Sequence, residues 1–323
     1  MEKLSELLLA IYRASRALPF AEFQDAALKL AKAVLPFDSC TWGTGTLTPQ
    51  GLVFHSLHLH EEHPDRVRLY EDVKDQDTVP GLVRAHPGTT LNVHPPTFYR
   101  GRDQAGIRDY ARRCGHQNSL VTGWVHPETQ VAPWVGLYRA DPDWHFSEAE
   151  RQFAQCLAPH LMEALAVNRV LYAARLRTLH GSAPHHVAIA DRLGLLYFTE
   201  PGFSELMGRE WPHWTGGSLP PPLCAAVTDQ PPDVYRGAHV AIHMTHVKDL
   251  VFLKARSTLP IDGLTARELA VAKHIAAGRT HKEIARLLNI APATVRNHIQ
   301  RIHDRLQVRN NAELVAQLNQ FVP

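Results

Sequence analysis

Four polar side chains near the end of the chain could bind a nucleic acid: Arg296, Asn297, Gln300 and Arg301. Arginine forms paired hydrogen bonds with guanine, asparagine and glutamine form them with adenine, and arginine also binds phosphate. An apolar stripe at helical spacings of four, three and four lies opposite them and comprises Val295, Ile299, Ile302 and Leu306. The pattern predicts a helix that is buried on one side and can contact DNA on the other. A solvated helix face is the alternative for each polar residue taken singly.

Start and stop signals of three helices surround these residues. Pro292 suits the first position of a helix, because its φ is already set and it has no N–H to leave unpaired. The motifs Thr265–Glu268 and Thr280–Glu283 each have the T-x-x-E pattern of a capping box, which begins a helix. We expect the first of these two helices to end at Gly278 and the second at Asn289, since both residue types tolerate a left-handed backbone.

The two shorter helices have apolar positions of their own, which are Leu269, Ala272 and Ile275 in the first and Ile284, Leu287 and Leu288 in the second. A short helix, a tight turn and a longer helix, here Pro292–Gln307, form a helix-turn-helix, whose second helix lies in the major groove. Residues 259–323 contain nine Lys or Arg and five Asp or Glu, a net of +4, so the rest of this chain of net charge +2 carries −2. A local positive excess favours binding to a polyanion.

The motifs just described recur in one known family and are carried here by Leu264-Thr265-Ala266-Arg267-Glu268, Gly278, Lys282-Glu283-Ile284-Ala285, Thr294-Val295, His298 and Leu306. Residues 259–323 resemble the LuxR-type family of bacterial regulators. The resemblance implies that Arg296, Asn297 and Gln300 face the bases. It also implies that the phosphates are approached by Lys282, Thr294, His298 and Arg301. The family's fourth helix, here Asn311–Gln320, commonly forms a dimer contact, and a dimer predicts a palindromic double-stranded operator.

One residue departs from the family pattern. Ala291 stands where the family usually has Ser or Thr, and alanine cannot accept the capping hydrogen bond at the start of the recognition helix. The loss of such a cap costs about 1 kcal/mol.

The N-terminal half mixes helical and strand patterns. Residues 3–17, 20–35 and 104–113 have helical spacing, whereas residues 40–44, 51–60, 119–126 and 130–139 read as strands. Ser147 and Glu150 form a capping box before a helix that continues to about Leu176, which either packs on the domain or forms a dimerisation spine.

This order of helices and strands resembles a GAF-like sensor domain, and the segment Pro159-His160-Leu161 in the last helix also supports the resemblance. The resemblance implies a small-molecule pocket lined by the inward aromatic residues, and our candidates are Trp42, Phe54, Tyr70, Trp124 and Trp134. The alternative is that each of these is a core residue.

Residues 64–77 resemble the lactone-binding signature of quorum-sensing regulators through Tyr70 and Asp77. Val67 lies near the place where an aromatic residue would be expected, and the spacings differ. An acyl-homoserine lactone is therefore one open alternative for the ligand.

Histidines are frequent, with 21 in the chain, and two groups stand out: His55, His58, His60 and His63, and His239, His243 and His246. Imidazole is the commonest metal ligand. In a strand, however, His58 and His60 face one side and His55 the other, and no cysteine lies nearby. We expect a solvated strand face, no metal and no cofactor.

Residues 186–256 contain apolar segments that predict short strands at 187–191, 195–198, 238–245 and 250–254 and a helix near Phe203–Met207. They resemble a reduced PAS-like domain. The segment 212–232 is rich in proline and is expected to be a long loop.

These observations predict an α+β multidomain protein with a GAF-like sensor or dimerisation domain at 1–180, a PAS-like domain or structured linker at 181–258 and an all-α four-helix DNA-binding domain at 259–323. The expected function is a sequence-specific transcription regulator that binds DNA as a homodimer under the control of a small molecule. The alternative is a regulator whose N-terminal half only dimerises or binds a protein partner.

Other functional classes have less support from the sequence. An enzyme is disfavoured, because the chain contains no Ser-His-Asp elbow, H-E-x-x-H or G-x-x-x-x-G-K-[ST] motif. The longest apolar run near the start, Leu7–Tyr12, is too short for a membrane span. Four scattered cysteines, Cys40, Cys114, Cys156 and Cys224, indicate a reducing cytoplasm.

Overall fold

The structure is a computed structural model, which describes residues 2–48, 51–63, 65–127, 130–178, 185–228 and 234–321. Internal contacts divide the chain into two compact units, residues 1–172 with 247–250 and residues 173–246 with 251–323. None of the helices in the described ranges has both the length and the apolar character needed to cross a bilayer. All four cysteines are free thiols.

The first unit contains helices packed on one five-stranded sheet. Its elements are α1 (Glu2–Ala17), α2 (Phe20–Lys32), β1 (Ser39–Thr48), β2 (Gly51–His60), α3 (Arg66–Glu71), α4 (Val79–Ala85), β3 (Leu91–Val93), α5 (Pro95–Phe98), α6 (Ala105–Arg113), β4 (Asn118–Gly123), β5 (Val131–Arg139) and the first part of α7 (Glu148–Thr178). The strands pair antiparallel in the order β2-β1-β5-β4-β3.

The two faces of this sheet are covered by different helices. On one face, α7 packs through Leu157 and Leu161 near Val135 and Leu137 of β5. On the other face, α3, α4 and α6 form a second apolar cluster, which includes Leu69, Tyr70, Val79, Val83, Ile107 and Tyr110. Full burial of one such side chain stabilises the fold by about 1.5–3 kcal/mol, so both faces contribute to the core.

Helix α7 begins as the sequence predicts. Ser147 Oγ accepts a hydrogen bond from the Glu150 amide at 3.2 Å, and the Ser147 amide donates to Glu150 Oε2 at 2.8 Å, which forms the capping box. The helix has 31 residues and so measures roughly 45 Å. Its packing on the sheet supports the first of the two predicted roles; the dimerisation spine stays a prediction.

The second unit contains another five-stranded sheet. Its elements are β6 (His186–Asp191), β7 (Leu196–Thr199), α8 (Pro201–Glu210), α9 (Pro221–Thr228), β8 (Val234–Arg236), β9 (Val240–Val247) and β10 (Leu250–Ser257). The strand order is β7-β6-β10-β9-β8, so the two sheets have the same order when each is numbered from its own first strand. The mixed α/β architecture with two sheets agrees with the predicted fold class, and the GAF-like and PAS-like assignments remain interpretations.

The sequence predicts one long loop for the proline-rich segment 212–232, and this prediction is wrong. The segment contains α9, whose first residues are Pro221 and Pro222, and proline is well tolerated in the first turn of a helix because that turn has no partner for the missing N–H. Leu223 and Val227 of this helix are buried in the core of the second sheet, which explains why it forms.

The chain ends in four helices, α10 (Ala266–Ala276), α11 (His281–Leu287), α12 (Pro292–Leu306) and α13 (Asn311–Phe321). They share one apolar core, whose buried members are Leu264, Val271, Ala272, Ile275, Ile284, Ala285, Val295, Ile302, Leu306, Val308, Leu314 and Leu318. The prediction for Leu287 is wrong, because its side chain is 54% exposed. Each helical residue turns by about 100°, so Leu287 lies about 60° from Ile284, on the side opposite to Leu288 and Ala285.

Candidate nucleic-acid interface and ligand cavity

Helix α12 has the two faces that its sequence predicts. Val295, Ile302 and Leu306 are buried, and Ile299 is partly buried against the same core. The outer face consists of the exposed side chains Thr294, Arg296, Asn297, Gln300 and Arg301. Of the other predicted DNA contacts, Lys282 is exposed in the first turn of α11 and His298 is half-buried. The structure therefore presents most of the predicted residues on one accessible surface; their contacts with DNA stay predictions.

The turn between α11 and α12 is compact. Asn289 has a φ of +52°, the left-handed conformation that the sequence analysis expected for it. Ala291 is the N-cap residue of α12 and gives no side-chain cap, while its carbonyl accepts hydrogen bonds from the Thr294 and Val295 amides at 2.9 and 3.2 Å. The backbone thus starts the recognition helix without help from a side chain.

A buried carboxylate joins the start of α10 to the end of α12. Glu268 Oε2 accepts hydrogen bonds from the Thr265 amide at 2.9 Å and from Arg305 Nη1 at 2.7 Å. Hydrogen bonds from the Thr265 backbone and side chain, with the positive charge of Arg305, lower the pKa of Glu268. The sequence predicts the capping box but not the partner Arg305, which comes from 37 residues further along the chain.

A short helix, a tight left-handed turn and a longer helix with a polar outer face define a helix-turn-helix DNA-binding domain. Residues 262–318 match the sequence model of the bacterial regulatory proteins of the luxR family. This C-terminal segment is a luxR-family helix-turn-helix domain, as its motifs predict.

Curated relatives match this same part of the chain. It is 37% identical over 59 residues to the putative HTH-type transcriptional regulator YhjB of Escherichia coli K12, and this match covers 18% of the chain and 30% of the relative. It is 43% identical over 54 residues to the probable transcriptional regulatory protein NarL of Mycobacterium tuberculosis, covering 17% and 25%. The chain therefore matches less than a third of either relative.

Among solved structures, the chain is similar to CepR2 of Burkholderia cenocepacia, an N-acylhomoserine lactone-dependent LuxR-family transcription factor. The similarity has a TM-score of 0.40 and 16% identity, and it covers 55% of this chain and 98% of CepR2. A TM-score this low does not establish a shared fold.

Replacing Ala291 with serine is expected to stabilise the start of α12 by about 1 kcal/mol, because a serine hydroxyl can accept the hydrogen bond that alanine cannot. Amide hydrogen exchange of the full chain measures this locally, and we expect roughly fivefold slower exchange in the first turn of α12. Ala293→Ser is the matched control, since Ala293 is exposed two residues further on, inside the helix. Equal protection in both variants would contradict the prediction.

The first unit contains an apolar cavity of about 110 Å³ between its sheet and α3, α4 and α6. Phe54, Tyr70 and Trp134 line it, as the sequence analysis proposed. Their rings form one aromatic wall, since the Phe54 centroid lies 5.4 Å from that of Tyr70 and 5.6 Å from that of Trp134. A buried water needs roughly 10–15 Å³ of such space, so the cavity has room for a small organic molecule.

The other two predicted ligand residues do not line this cavity. Trp42 is paired with Val135 in the sheet, one position from the pair Gly43 and Trp134, and successive residues of a strand point to opposite faces. Its indole nitrogen therefore donates to Met162 Sδ of α7 at 3.3 Å. Trp124 lies just beyond the end of β4, with its indole beside Gly88.

Gly43 leaves the space that the Trp134 indole occupies. A Cβ atom at position 43 would lie 2.8 Å from Cη2 of the Trp134 indole and 2.6 Å from the Ser56 carbonyl oxygen. Both distances are shorter than real Cβ contacts, so glycine at this position holds the aromatic wall in place.

Asp77 forms the polar centre at one end of the cavity. Its carboxylate accepts hydrogen bonds from the hydroxyls of Tyr70 at 2.9 Å and Tyr99 at 2.7 Å, and from the Val79 amide at 3.0 Å. Burial, with the nearby Asp77 carboxylate, raises the pKa of both tyrosines, so they remain hydroxyl donors. The resemblance to the lactone-binding signature pairs Tyr70 with Asp77, whereas no sequence pattern marks Tyr99.

A second polar group lies at another part of the cavity wall. Both carboxylate oxygens of Glu62 lie 3.0–3.1 Å from His116 Nε2, and the His116 ring stacks on Tyr138 at 3.7 Å. Arg66 Nε is 3.9 Å from Glu62 Oε2. Burial lowers the pKa of His116, and burial raises that of Tyr138 to about 12. None of these residues was a candidate in the sequence analysis.

The first histidine group does not divide between the two faces as the sequence predicts. His58 Nε2 and His60 Nδ1 lie 3.0 and 2.9 Å from Asp25 Oδ1 of α2, and both side chains are largely buried rather than solvated. A β-bulge at His55 interrupts the alternation of β2, and His55 Nε2 lies 2.7 Å from the hydroxyl of Thr46, which is on the same face of β1 as Trp42, the residue paired with His58. Asp25, His58 and His60 bring three potential metal ligands within 4.8 Å of one another. Hydrogen bonds already join these atoms, and the absence of a metal stays a prediction.

The free energy of unfolding is expected to fall by about 1 kcal/mol or slightly more from pH 7 to pH 6. Burial lowers the pKa of both His58 and His116, so the unfolded chain, whose histidines titrate near 6.5, binds more protons than the folded chain below pH 7. Stability therefore decreases as the pH falls through that window. Urea unfolding at each pH measures the change.

The control for this pH effect is His116→Gln, which should remove the contribution of one histidine, at most about 0.7 kcal/mol between pH 7 and pH 6. His126→Gln, at an exposed histidine, should leave it unchanged. A stability that does not vary between pH 7 and pH 6 in the unaltered protein would contradict the argument.

Proposed function

We propose that the protein is a sequence-specific transcription regulator that binds palindromic double-stranded DNA as a homodimer and responds to a small molecule in the cavity of its first unit. In this proposal residues 1–180 form the sensor and dimerisation domain, residues 181–258 a PAS-like domain and residues 259–323 the DNA-binding domain. The protein acts in the cytoplasm. The shared strand order of the two sheets supports treating both as domains of one general kind.

The DNA-binding part of the proposal rests on the C-terminal domain. Its outer face carries Arg296, Asn297 and Gln300 on the helix that enters the major groove in such domains. Two relatives of this segment are named as transcriptional regulators.

The observation that carries ligand control is the aromatic cavity of about 110 Å³, with Asp77 and Arg66 on its wall. An apolar pocket with a few converging polar groups is the usual form of a small-molecule site. A domain that served only for dimerisation would need no such space. The cavity therefore favours the sensor function over the alternative in which the N-terminal half only dimerises.

A ligand screen tests the sensor function. Thermal unfolding of the full chain is measured with lactones, aromatic acids and nucleotides, and a true ligand should raise the unfolding temperature. The same ligand should change the affinity for DNA. Trp134→Ala removes part of the aromatic wall and should abolish the stabilisation, whereas Trp144→Ala, at an exposed tryptophan, should not. A complete absence of stabilisation would reject ligand control.

Selection of binding sites from random DNA, followed by footprinting, tests the DNA-binding function. We expect a palindromic footprint with half-sites about one helical turn apart. Light scattering should give the mass of a dimer on that DNA. A monomer both free and on DNA would reject the proposed assembly but not DNA binding itself.

A further inference from the structure

Arg66 is a buried cation on the wall of the ligand cavity. It belongs to α3, is 5% exposed, and lies over the rings of Phe54 and Tyr70, at 5.7 and 5.9 Å from their centroids. Neither its Nε nor its Nη1 has a hydrogen-bond partner among the described residues. Two of its three nitrogens therefore lack an acceptor among the described residues, in a side chain that lines the cavity.

The other fully buried arginine of the same unit shows how this protein normally satisfies a guanidinium. Arg139 Nε donates to the Pro36 carbonyl at 3.1 Å, Nη1 to the His145 carbonyl at 2.9 Å, and Nη2 to Glu150 at 2.6 Å. Every nitrogen of Arg139 has an acceptor. Arg66 differs from it in this respect and in lining a cavity.

The acidic groups near Arg66 are already engaged. Glu62 accepts hydrogen bonds from His116 and Ser39, and its nearer oxygen is 3.9 Å from Arg66 Nε, which is too long for a hydrogen bond. Asp77, on the same cavity wall, already accepts from Tyr70, Tyr99 and the Val79 amide. Neither carboxylate therefore accepts a hydrogen bond from Nε or Nη1 of Arg66.

Burial of a charged donor without an acceptor costs free energy, because the group loses its hydrogen bonds with water and gains none in the protein. An occupant of the cavity that brings oxygen acceptors removes this cost. We propose that the cavity binds a monocarboxylate with an apolar or aromatic body, whose carboxylate pairs with Arg66 while the body lies against Phe54 and Trp134. This inference rests on the proposed sensor function and names the chemical class of its ligand.

The surroundings favour one negative charge rather than two. Glu62 and Asp77 both line or adjoin the cavity, and a dianion such as a phosphate monoester would be repelled by two nearby carboxylates. A carboxylate is also planar, which suits hydrogen bonding to a guanidinium in a cavity with aromatic walls.

Isothermal titration of the full chain with acid and amide pairs tests this inference. The probes are phenylacetate, 3-phenylpropionate, hexanoate and octanoate, each compared with its primary amide, which has nearly the same shape without the charge. We expect at least one acid to bind roughly tenfold more tightly than its amide, because charge-assisted hydrogen bonds are about twice as strong as neutral ones.

Arg66→Met keeps the volume of the side chain but removes its charge, and it should reduce the acid-to-amide ratio to about one while leaving the amide affinity unchanged within about threefold. Arg68→Met is the matched control on the same helix, since the Arg68 side chain is 69% exposed, and it should keep the original ratio. The unfolding temperature of each variant shows that it is folded. If Arg66→Met is not, Arg66→Gln takes its place with the same expectation.

Three outcomes overturn the inference: acids and amides binding equally to the unaltered chain, a preference for the acid that survives in the Arg66 variants, or no binding by any of the eight probes. In each case the broader ligand screen shows whether the sensor function also fails. A neutral ligand that stabilises both the unaltered chain and Arg66→Met would leave the proposed function intact and reject only the carboxylate.

Discussion

Replacing Arg296 with alanine weakens binding to the selected DNA site by about 1–3 kcal/mol, roughly 5- to 150-fold, and relaxes the preference at one base position. Arg296 is exposed on the outer face of α12, next to Asn297 and one turn before Gln300. A side chain at the N-terminal part of the recognition helix is placed to reach base edges, and an arginine there pairs with guanine. Fluorescence anisotropy with the selected site and with every single-base variant of it measures both effects.

Two further variants separate base recognition from charge. Lys282→Ala, in the first turn of α11, should weaken binding to all sequences alike and reduce the dependence on salt, because it removes a phosphate contact. Arg309→Ala removes an exposed arginine from the turn before α13 and should leave base preference unchanged. A uniform loss with Arg296→Ala would instead make Arg296 a phosphate contact.

Replacing Asp77 with alanine should lower the free energy of unfolding of the first unit by about 3 kcal/mol or more. The change leaves three donors without their acceptor: the Tyr70 and Tyr99 hydroxyls, which are both buried, and the Val79 amide. Each buried donor left unsatisfied costs about 1–3 kcal/mol. Urea unfolding followed by tryptophan fluorescence measures the loss.

Asp75→Ala is the control for this effect, because Asp75 is exposed and only two residues away. It should change stability by less than about 0.5 kcal/mol. Asp77→Asn, which retains one carbonyl oxygen, should fall between the two. If Asp77→Ala were as stable as Asp75→Ala, the three hydrogen bonds could not be what holds α4 and Tyr99 at the cavity.

The C-terminal domain was predictable because its signals are local. Thr265 and Glu268 are three residues apart, and the left-handed turn at Asn289 is indicated by the residue type at that position. Leu287 was misplaced because α11 has seven residues, too few to define a stripe by periodicity. The bond between Glu268 and Arg305 joins distant parts of the chain and has no sequence signal.

The cavity was predictable only in part, because it depends on strand register and on short helices. Phe54, Tyr70 and Trp134 were found as aromatic residues of a sheet domain, but the same reasoning chose Trp42, which the pairing of β1 with β5 turns to the other face. Arg66 is not marked by the sequence, since its proposed role depends on the lack of acceptors around two of its nitrogens among the described residues, and no spacing of residues encodes such a lack.

Gly43 does not line the cavity, but it contacts the indole of Trp134, which does, and so it affects the width of the cavity. The lining tryptophan rests on a backbone position without a side chain, where even a methyl group would force the indole to move. A change of one nucleotide in the codon for this glycine therefore alters which molecules fit the cavity, while every residue of its lining stays the same. If the cavity is the proposed sensor site, its ligand preference can drift during evolution through a residue that is not part of the lining.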